Sequence, residues 1–314
     1  MKLICYFDIK AAHNPYFKEI YDNIFVKLRK TFPQHEFTHV QPPGTDGGDW
    51  CMSCPGGRSN FQIINPENNK TILMSFWDRG MEPLEFKEEL GWGNYDIKQY
   101  IGGLGMHTSS HDILKKYGIE HIPFQYPLGV PDSDKFIKEF REEYDPKKKI
   151  RKAIFIGMKH NIRKEFFPLM ENHPLIELYD SGYGGRDFYK KVSEYALSLS
   201  FNGSGEYTLR DLESMGMGIP VIRSETLTQY FNPLVPNYHY IKGSEACKEG
   251  RDSYRDIGAK AISEQFINKI EQIINDDKAL MLFSNAGLAY YDSYVNTEYI
   301  INLFFKLLKL DKLK

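Results

Sequence analysis

The sequence predicts an α/β chain organised as two domains, and three observations lead there. Strand-like and helix-like segments alternate along most of the chain, and the alternation restarts at Ala153 behind a Pro- and Lys-rich stretch. A length of 314 residues exceeds what one hydrophobic core usually organises. Near residue 200 a strand runs through a glycine-containing turn into a helix, a junction suited to holding an anion at the tip of a parallel sheet.

Residues 3–7 read as a buried strand, and 16–32 carry Phe17, Ile20, Ile24, Phe25 and Leu28 at helical spacing, an opening βα unit. Residues 41–58 (QPPGTDGGDWCMSCPGGR) have no regular period and read as a long loop, a candidate for the acceptor side of a site. Residues 61–64 and 71–77 flank a turn-rich NPENN and read as a hairpin. A strand at 99–104, a helix at 110–117 and a strand at 120–124 complete this half. After a rigid segment at 127–131, residues 133–144 form a polar amphipathic helix, and the domain boundary is expected near Asp145.

The second half repeats the theme. Strands are expected at 153–156, 176–179, 196–201 and 220–223, with helices at 163–170, 188–194 and 209–217 between them. The expected division is therefore 1–145, 146–295 and a terminal helix over 296–314.

Composition excludes several classes. The chain is 41% hydrophobic and 26% charged, which fits a packed globular protein rather than a disordered one. Its 40 basic and 42 acidic residues give a net charge of -2, too weak a field for electrostatic capture of nucleic acid. The basic run KKKIRK at 147–152 reads as a solvated linker entering a strand. No apolar run is long enough to span a bilayer and no cleavable leader is evident, so no transmembrane segment and a cytoplasmic location are expected. Cys51 and Cys54 form a C-x-x-C, but the second pair that a zinc site needs is missing, and no metal is expected.

The segment from Ser200, SFNGSGEYTLRDLESMGMGIPVIRSE, carries the chemistry. Gly203 and Gly205 permit close approach of an anion to the backbone, and Ser204 and Thr208 offer hydroxyl donors. The free N–H groups and positive end of the following helix face the same place. Such a turn is also a common tight connection, so alone it decides little. Glu213, in the second turn of that helix, could accept both hydroxyl protons of a ribose, since a carboxylate has two oxygens and only accepts. The other reading of Glu213 is an exposed helix carboxylate paired with Arg210 at i,i+3.

These residues resemble a family. Glu213 to Ile222, ESMGMGIPVI, is similar to the helix-turn-strand signature of the GT-B glycosyltransferases, with the family 1/4-like C-terminal donor domain as the nearest pattern. The arrangement with Arg210 is also similar to exostosin-like and virus- or bacterium-encoded glycosyltransferases. The resemblance implies two Rossmann-like domains facing each other across a cleft. It implies that Glu213 binds the donor ribose and that Glu206 contacts the transferred sugar, within a donor site of Ser204, Gly205, Glu206, Tyr207, Thr208, Arg210 and Glu213. Phe155 to Lys159 resembles the first strand and turn of the donor domain, which makes Lys159 and Arg163 candidates to neutralise the diphosphate; solvated cations at a helix start are the alternative. Residues 270–308 resemble the final helices of the fold, the last packing back on the N-terminal domain.

The acceptor side has no short motif. An attacking hydroxyl needs a base within hydrogen-bond reach, and Asp78 and His107 each follow an expected strand, where clefts form. With Glu206 they are the catalytic candidates; Asp8, His13, Asp46 and Asp49 are weaker ones, and local turn capping is the alternative for each. Trp50, Trp77 and Trp92 could offer a sugar-stacking face or fill the core. The expected activity is sugar transfer from a UDP- or GDP-linked donor to a carbohydrate or related acceptor, with no cofactor. A nucleotide-sugar epimerase and a non-catalytic carbohydrate-binding protein are the alternatives.

Overall fold

The computed structural model describes residues 2–7, 26–40, 60–65, 67, 71–75, 100–105, 121–123, 133–157, 159, 163–180, 183–201, 208–225, 232–245, 257–296, 298–299, 302–303, 306 and 310. Within them the chain is α/β. Its contacts divide into two units: Met1–Pro131 with Thr228–Phe231 and Ile300–Lys314, and Asp132–Leu227 with Asn232–Tyr299.

The first unit holds a six-stranded mixed sheet. In chain order its strands are β1 (Lys2–Phe7), β2 (Glu36–Val40), β3 (Asn60–Ile64), β4 (Thr71–Ser75), β5 (Tyr100–Gly105) and β6 (His121–Pro123), laid side by side as β2-β1-β3-β4-β5-β6. β3 and β4 pair antiparallel with Ile63 opposite Ile72, which is the hairpin expected from the NPENN turn. The remaining pairs are parallel except β1 with β3. β2 was not expected from the sequence. Its EFTHV is a short strand that follows the helical residues 26–31 through a turn in which His35 N–H donates to the Phe32 carbonyl.

The second unit is a five-stranded parallel sheet in the order β11-β10-β9-β7-β8. It comprises β7 (Ile150–Ile156), β8 (Ile176–Tyr179), β9 (Tyr195–Ser200), β10 (Val221–Ser224) and β11 (Ile241–Ser244). Its helices are α1 (Ser133–Phe140), α2 (Arg163–Met170), α3 (Arg186–Ser193), α4 (Leu209–Gly216), α5 (Ala259–Ile273) and α6 (Asp277–Tyr294). α1 lies in this unit, ahead of the expected boundary at 145, and stops at Phe140, short of the expected end at 144. Beyond it the chain is drawn into the core: Arg141 Nε donates to the Gly216 carbonyl at 2.7 Å and the Tyr144 hydroxyl to the Ala196 carbonyl at 2.6 Å. β11 also went unrecognised, because IKGS has too few apolar positions to show a period.

Hydrophobic burial builds the sheet's centre. All six residues of β9, YALSLS, are buried, and its two serines are satisfied by hydroxyls from the α4 side: Ser214 Oγ lies 2.8 Å from Ser198 Oγ and Thr208 Oγ1 lies 3.0 Å from Ser200 Oγ. Phe166 of α2 stacks on Phe201 at 5.1 Å, and Phe201 meets Phe266 of α5 edge-on at 5.3 Å. Gly243 in β11 makes room for that ring. A Cβ there would lie 2.3 Å from Phe266 Cε1 and 2.9 Å from Ile222 Cγ1, both in fully buried side chains. Gly243→Ala is therefore expected to destabilise the protein by about 1–3 kcal/mol through overpacking. Thermal unfolding checks this; an unchanged midpoint would show that β11 can move away.

Candidate functional site

The carboxyl ends of β7 and β9 are central and adjacent in the parallel sheet, with Ala153 opposite Leu197 and Ile154 opposite Ser198. In parallel α/β sheets ligands sit outside such ends. Gly157 follows β7, Phe201 follows β9, and α2 and α4 begin close by in the chain. Two guanidinium groups converge on this edge. Arg163, the first residue of α2, is buried, donates from Nη2 to the Phe201 carbonyl at 3.2 Å and lies 5.2 Å from the centre of the Phe155 ring. Arg210, in the first turn of α4, lies 4.5 Å from the centre of the same ring. A Cβ on Gly157 would stand 2.5 Å from Arg210 Nη2, so glycine is what lets the cation lie against the end of β7.

Arg210 makes no hydrogen bond and no ion pair among the described residues, and its Nε is enclosed without a partner. Burial holds its guanidinium below the ordinary arginine value, and the charges of Asp211 and Glu213 offset part of that. A guanidinium remains charged in proteins. A half-buried cation with an unused, enclosed donor beside a helix start favours an anion bound there.

Glu213 is 6% exposed, which removes the reading of it as a surface carboxylate. No salt bridge joins it to Arg210; instead its Oε1 lies 2.7 Å from the Tyr189 hydroxyl of α3. Burial raises its carboxyl above the usual range, and the Tyr189 hydrogen bond and the Arg210 charge pull it partly back. Asp211 is fully buried and paired with Arg223 of β10, itself 1% exposed. This ion pair ties the first turn of α4 to the sheet.

Of the expected donor residues, the structure thus brings Arg163, Arg210 and Thr208 to one edge, with the Thr208 hydroxyl committed to Ser200, while Glu213 lies in the second turn of α4 against Tyr189. Lys159 stands at the same end of the sheet. Its backbone N–H donates to Asp180 Oδ1 at 2.6 Å, and its ammonium lies 5.1 Å from the Phe167 ring centre. Ser204, Gly205, Glu206 and Tyr207 lie outside the described residues, as do Asp78, His107, Asp8, His13, Asp46, Asp49, the three tryptophans, Cys51 and Cys54. Among the described residues no group of His, Cys, Asp and Glu could hold a metal ion, and no helix is long and apolar enough to cross a membrane.

Sequence reading missed Tyr189, Ser133, Asp211 and Arg223. Arg223 did carry a signal, since a lone charge inside the buried strand VIRS requires a buried partner. Tyr189 carried none, being one of two adjacent aromatic residues on an amphipathic helix.

No protein-family model matches the chain, and no curated protein sequence does. Among solved structures it is similar to a sucrose-phosphate synthase from Thermosynechococcus elongatus, at 13% identity and a TM-score of 0.42 over 66% of this chain and 57% of that one. It is similar to the pneumococcal O-GlcNAc transferase GtfA in complex with UDP and GlcNAc, at 13% identity and a TM-score of 0.41 over 70% of this chain and 47% of that one. It is also similar to a UDP-N-acetylglucosamine 2-epimerase of Listeria monocytogenes, described as putative, at 11% identity and a TM-score of 0.35 over 75% and 67%. The chain spans about half the length of the first two, and likeness of this degree says nothing about activity or site residues.

Proposed function

We propose that the protein is a glycosyltransferase of the GT-B type, transferring a sugar from a nucleotide diphosphate donor to a carbohydrate or related acceptor. The observation that carries this reading is Arg210, a half-buried cation whose enclosed Nε has no hydrogen-bond partner among the described residues, at the carboxyl edge of the central strands with Arg163 beside the same ring. A diphosphate suits that pair. Glu213, further along α4, is our proposed acceptor for the ribose of that nucleotide, since a carboxylate only accepts.

Transfer forms a bond from the acceptor oxygen to the anomeric carbon and breaks the bond from that carbon to the diphosphate. The proton of the acceptor hydroxyl goes to a base or to the departing diphosphate, whose growing negative charge Arg163, Arg210 and the α4 N-terminus stabilise. Asp78 and His107 are proposed for the base. They follow β4 and β5, two neighbouring strands paired in parallel, by three and two residues. Glu206 is proposed at the transferred sugar, in the stretch leading into α4. Ser204, Gly205 and Tyr207 belong to the same proposed donor turn, with Lys159 as a further cation.

The test is a thermal-shift panel of UDP, GDP, CMP and dTDP with their sugar conjugates. A ligand at about 100 times its dissociation constant adds about 2.7 kcal/mol to stability. One nucleotide series is expected to protect, and protection by none would overturn the reading. Conversion of the donor with no acceptor present would favour an epimerase instead.

A further inference from the structure

Glu213 does not stand alone. Its Oε1 lies 2.7 Å from the Tyr189 hydroxyl, and that hydroxyl lies 2.9 Å from Ser133 Oγ. The three groups come from α4, α3 and the first residue of α1, and all are buried. A phenol has one proton. The carboxylate is the stronger acceptor, so the phenol donates to Glu213 and the Ser133 hydroxyl is free to donate to the phenol oxygen. Tyr189 is held rigidly enough to act this way. It is 1% exposed, with Phe136 of α1 at 5.5 Å and Phe188 at 5.2 Å between ring centres. Oε2 of Glu213 accepts no hydrogen bond from a described residue.

We propose that Tyr189 is a positioning residue for the nucleotide site: with Ser133 behind it, the phenol fixes Oε1 of Glu213 and leaves Oε2 to face the ribose. This rests on the reading of Glu213 as a ribose acceptor, and it deepens that reading by making the carboxylate a pre-set, one-sided acceptor. A side chain already locked by packing and a supporting hydrogen bond loses less freedom when ligand binds.

The arrangement also acts on the charge of Glu213. The charges that act on it are those of Arg210 and Asp211 on its own helix, and Asp211 is in turn paired with Arg223 of β10. From α1 comes Asp134, which accepts from the Tyr291 hydroxyl of α6, with Arg141 over the Tyr291 ring and bridged to Asp292. β9 contributes only the serine hydroxyls of Ser198 and Ser200. Burial pushes the Glu213 carboxyl up, and the hydrogen bond from Tyr189 is the foremost influence drawing it down. Burial and the neighbouring carboxylate raise the Tyr189 phenol far above its ordinary value, so it remains a donor throughout the working range.

The experiment compares wild type, Tyr189→Phe and the milder Ser133→Ala in two measurements. Carboxyl NMR of glutamate-labelled, ligand-free protein, with the Glu213 signal assigned through Glu213→Gln, follows the protonation of that group. In Tyr189→Phe it is expected to take up its proton at a higher pH than in wild type. Calorimetric titration with UDP and 2′,3′-dideoxy-UDP, or the guanosine pair if GDP is the nucleotide that protects, reads the positioning effect. Tyr189→Phe is expected to weaken the ribonucleotide about tenfold, because the unanchored carboxylate gives up one hydrogen bond to the ribose, and to leave the dideoxy analogue unchanged. Ser133→Ala shifts both readouts the same way by less, and stands in should Tyr189→Phe fail to fold. An unmoved carboxyl titration, or equal weakening of both nucleotides, would overturn the proposal. Should no nucleotide bind wild type, the donor reading falls, and the titration in free protein alone decides whether Tyr189 governs Glu213.

Discussion

Asp211→Ala is expected to lower the unfolding free energy by about 3–5 kcal/mol, the largest stability loss of any single change at this site. The reason is the company Asp211 keeps. Its carboxylate is fully buried and paired with Arg223, whose guanidinium is 1% exposed and lies 5.6 Å from the Tyr240 ring centre. Removing the carboxylate leaves that guanidinium in the core without the anion it is paired with, and it removes one of the two carboxylates that offset the burial of Arg210. Replacing both partners with apolar residues, as in Asp211→Leu with Arg223→Met, should recover most of the loss, because the desolvation of both charges is removed together. Urea unfolding of the single and double variants separates these cases. A loss below about 1 kcal/mol in Asp211→Ala would mean that water reaches the pair.

The pair also has a geometric role. It joins residue 211 of α4 to residue 223 of β10, and Arg210 is the residue just before it in the helix. A single-variant fold that survives should therefore bind nucleotide more weakly as well.

How far the sequence led differs between the halves for physical reasons. In the second unit the last four residues of IRKAIFI and all of YALSLS are buried and apolar for the most part, so the type and position of both strands were evident to within a few residues. Arg163 and Arg210 were recognisable as candidates through the resemblance of their segments to a glycosyltransferase donor domain. Their convergence on Phe155 was not, because it depends on β7 and β9 lying side by side although β8 lies between them in the chain. Strands β2 and β11 escaped notice as segments of five and four residues with little period. Glu213 illustrates a subtler limit. Its spacing from Arg210 suggested a surface pair, whereas α4 is buried from Asp211 to Gly216 and the partner comes from α3, a contact that no local pattern encodes.

Glu213→Ala is expected to weaken binding of the nucleotide that protects the protein roughly 10- to 150-fold, from the loss of about 1.5–3 kcal/mol of hydrogen bonding to a charged group. Glu213→Gln should retain part of that affinity, because its remaining oxygen still accepts, and should raise stability at neutral and alkaline pH. The sign follows from burial. The folded carboxyl sits above its unfolded value, so between the two values the native state holds more protons than the unfolded chain. Stability from this group is fully present below the unfolded value and is lost as pH rises through the folded one. Glutamine has no such titration. The advantage of Glu213→Gln over wild type should therefore be absent in acid and grow with pH through that window. A residue kept only for the fold would show the opposite pairing, with stability falling and affinity unmoved. Denaturant unfolding of both proteins from pH 4 to pH 8, alongside calorimetry at the upper end, distinguishes the two; equal affinities would mean that the ribose does not lie at Glu213.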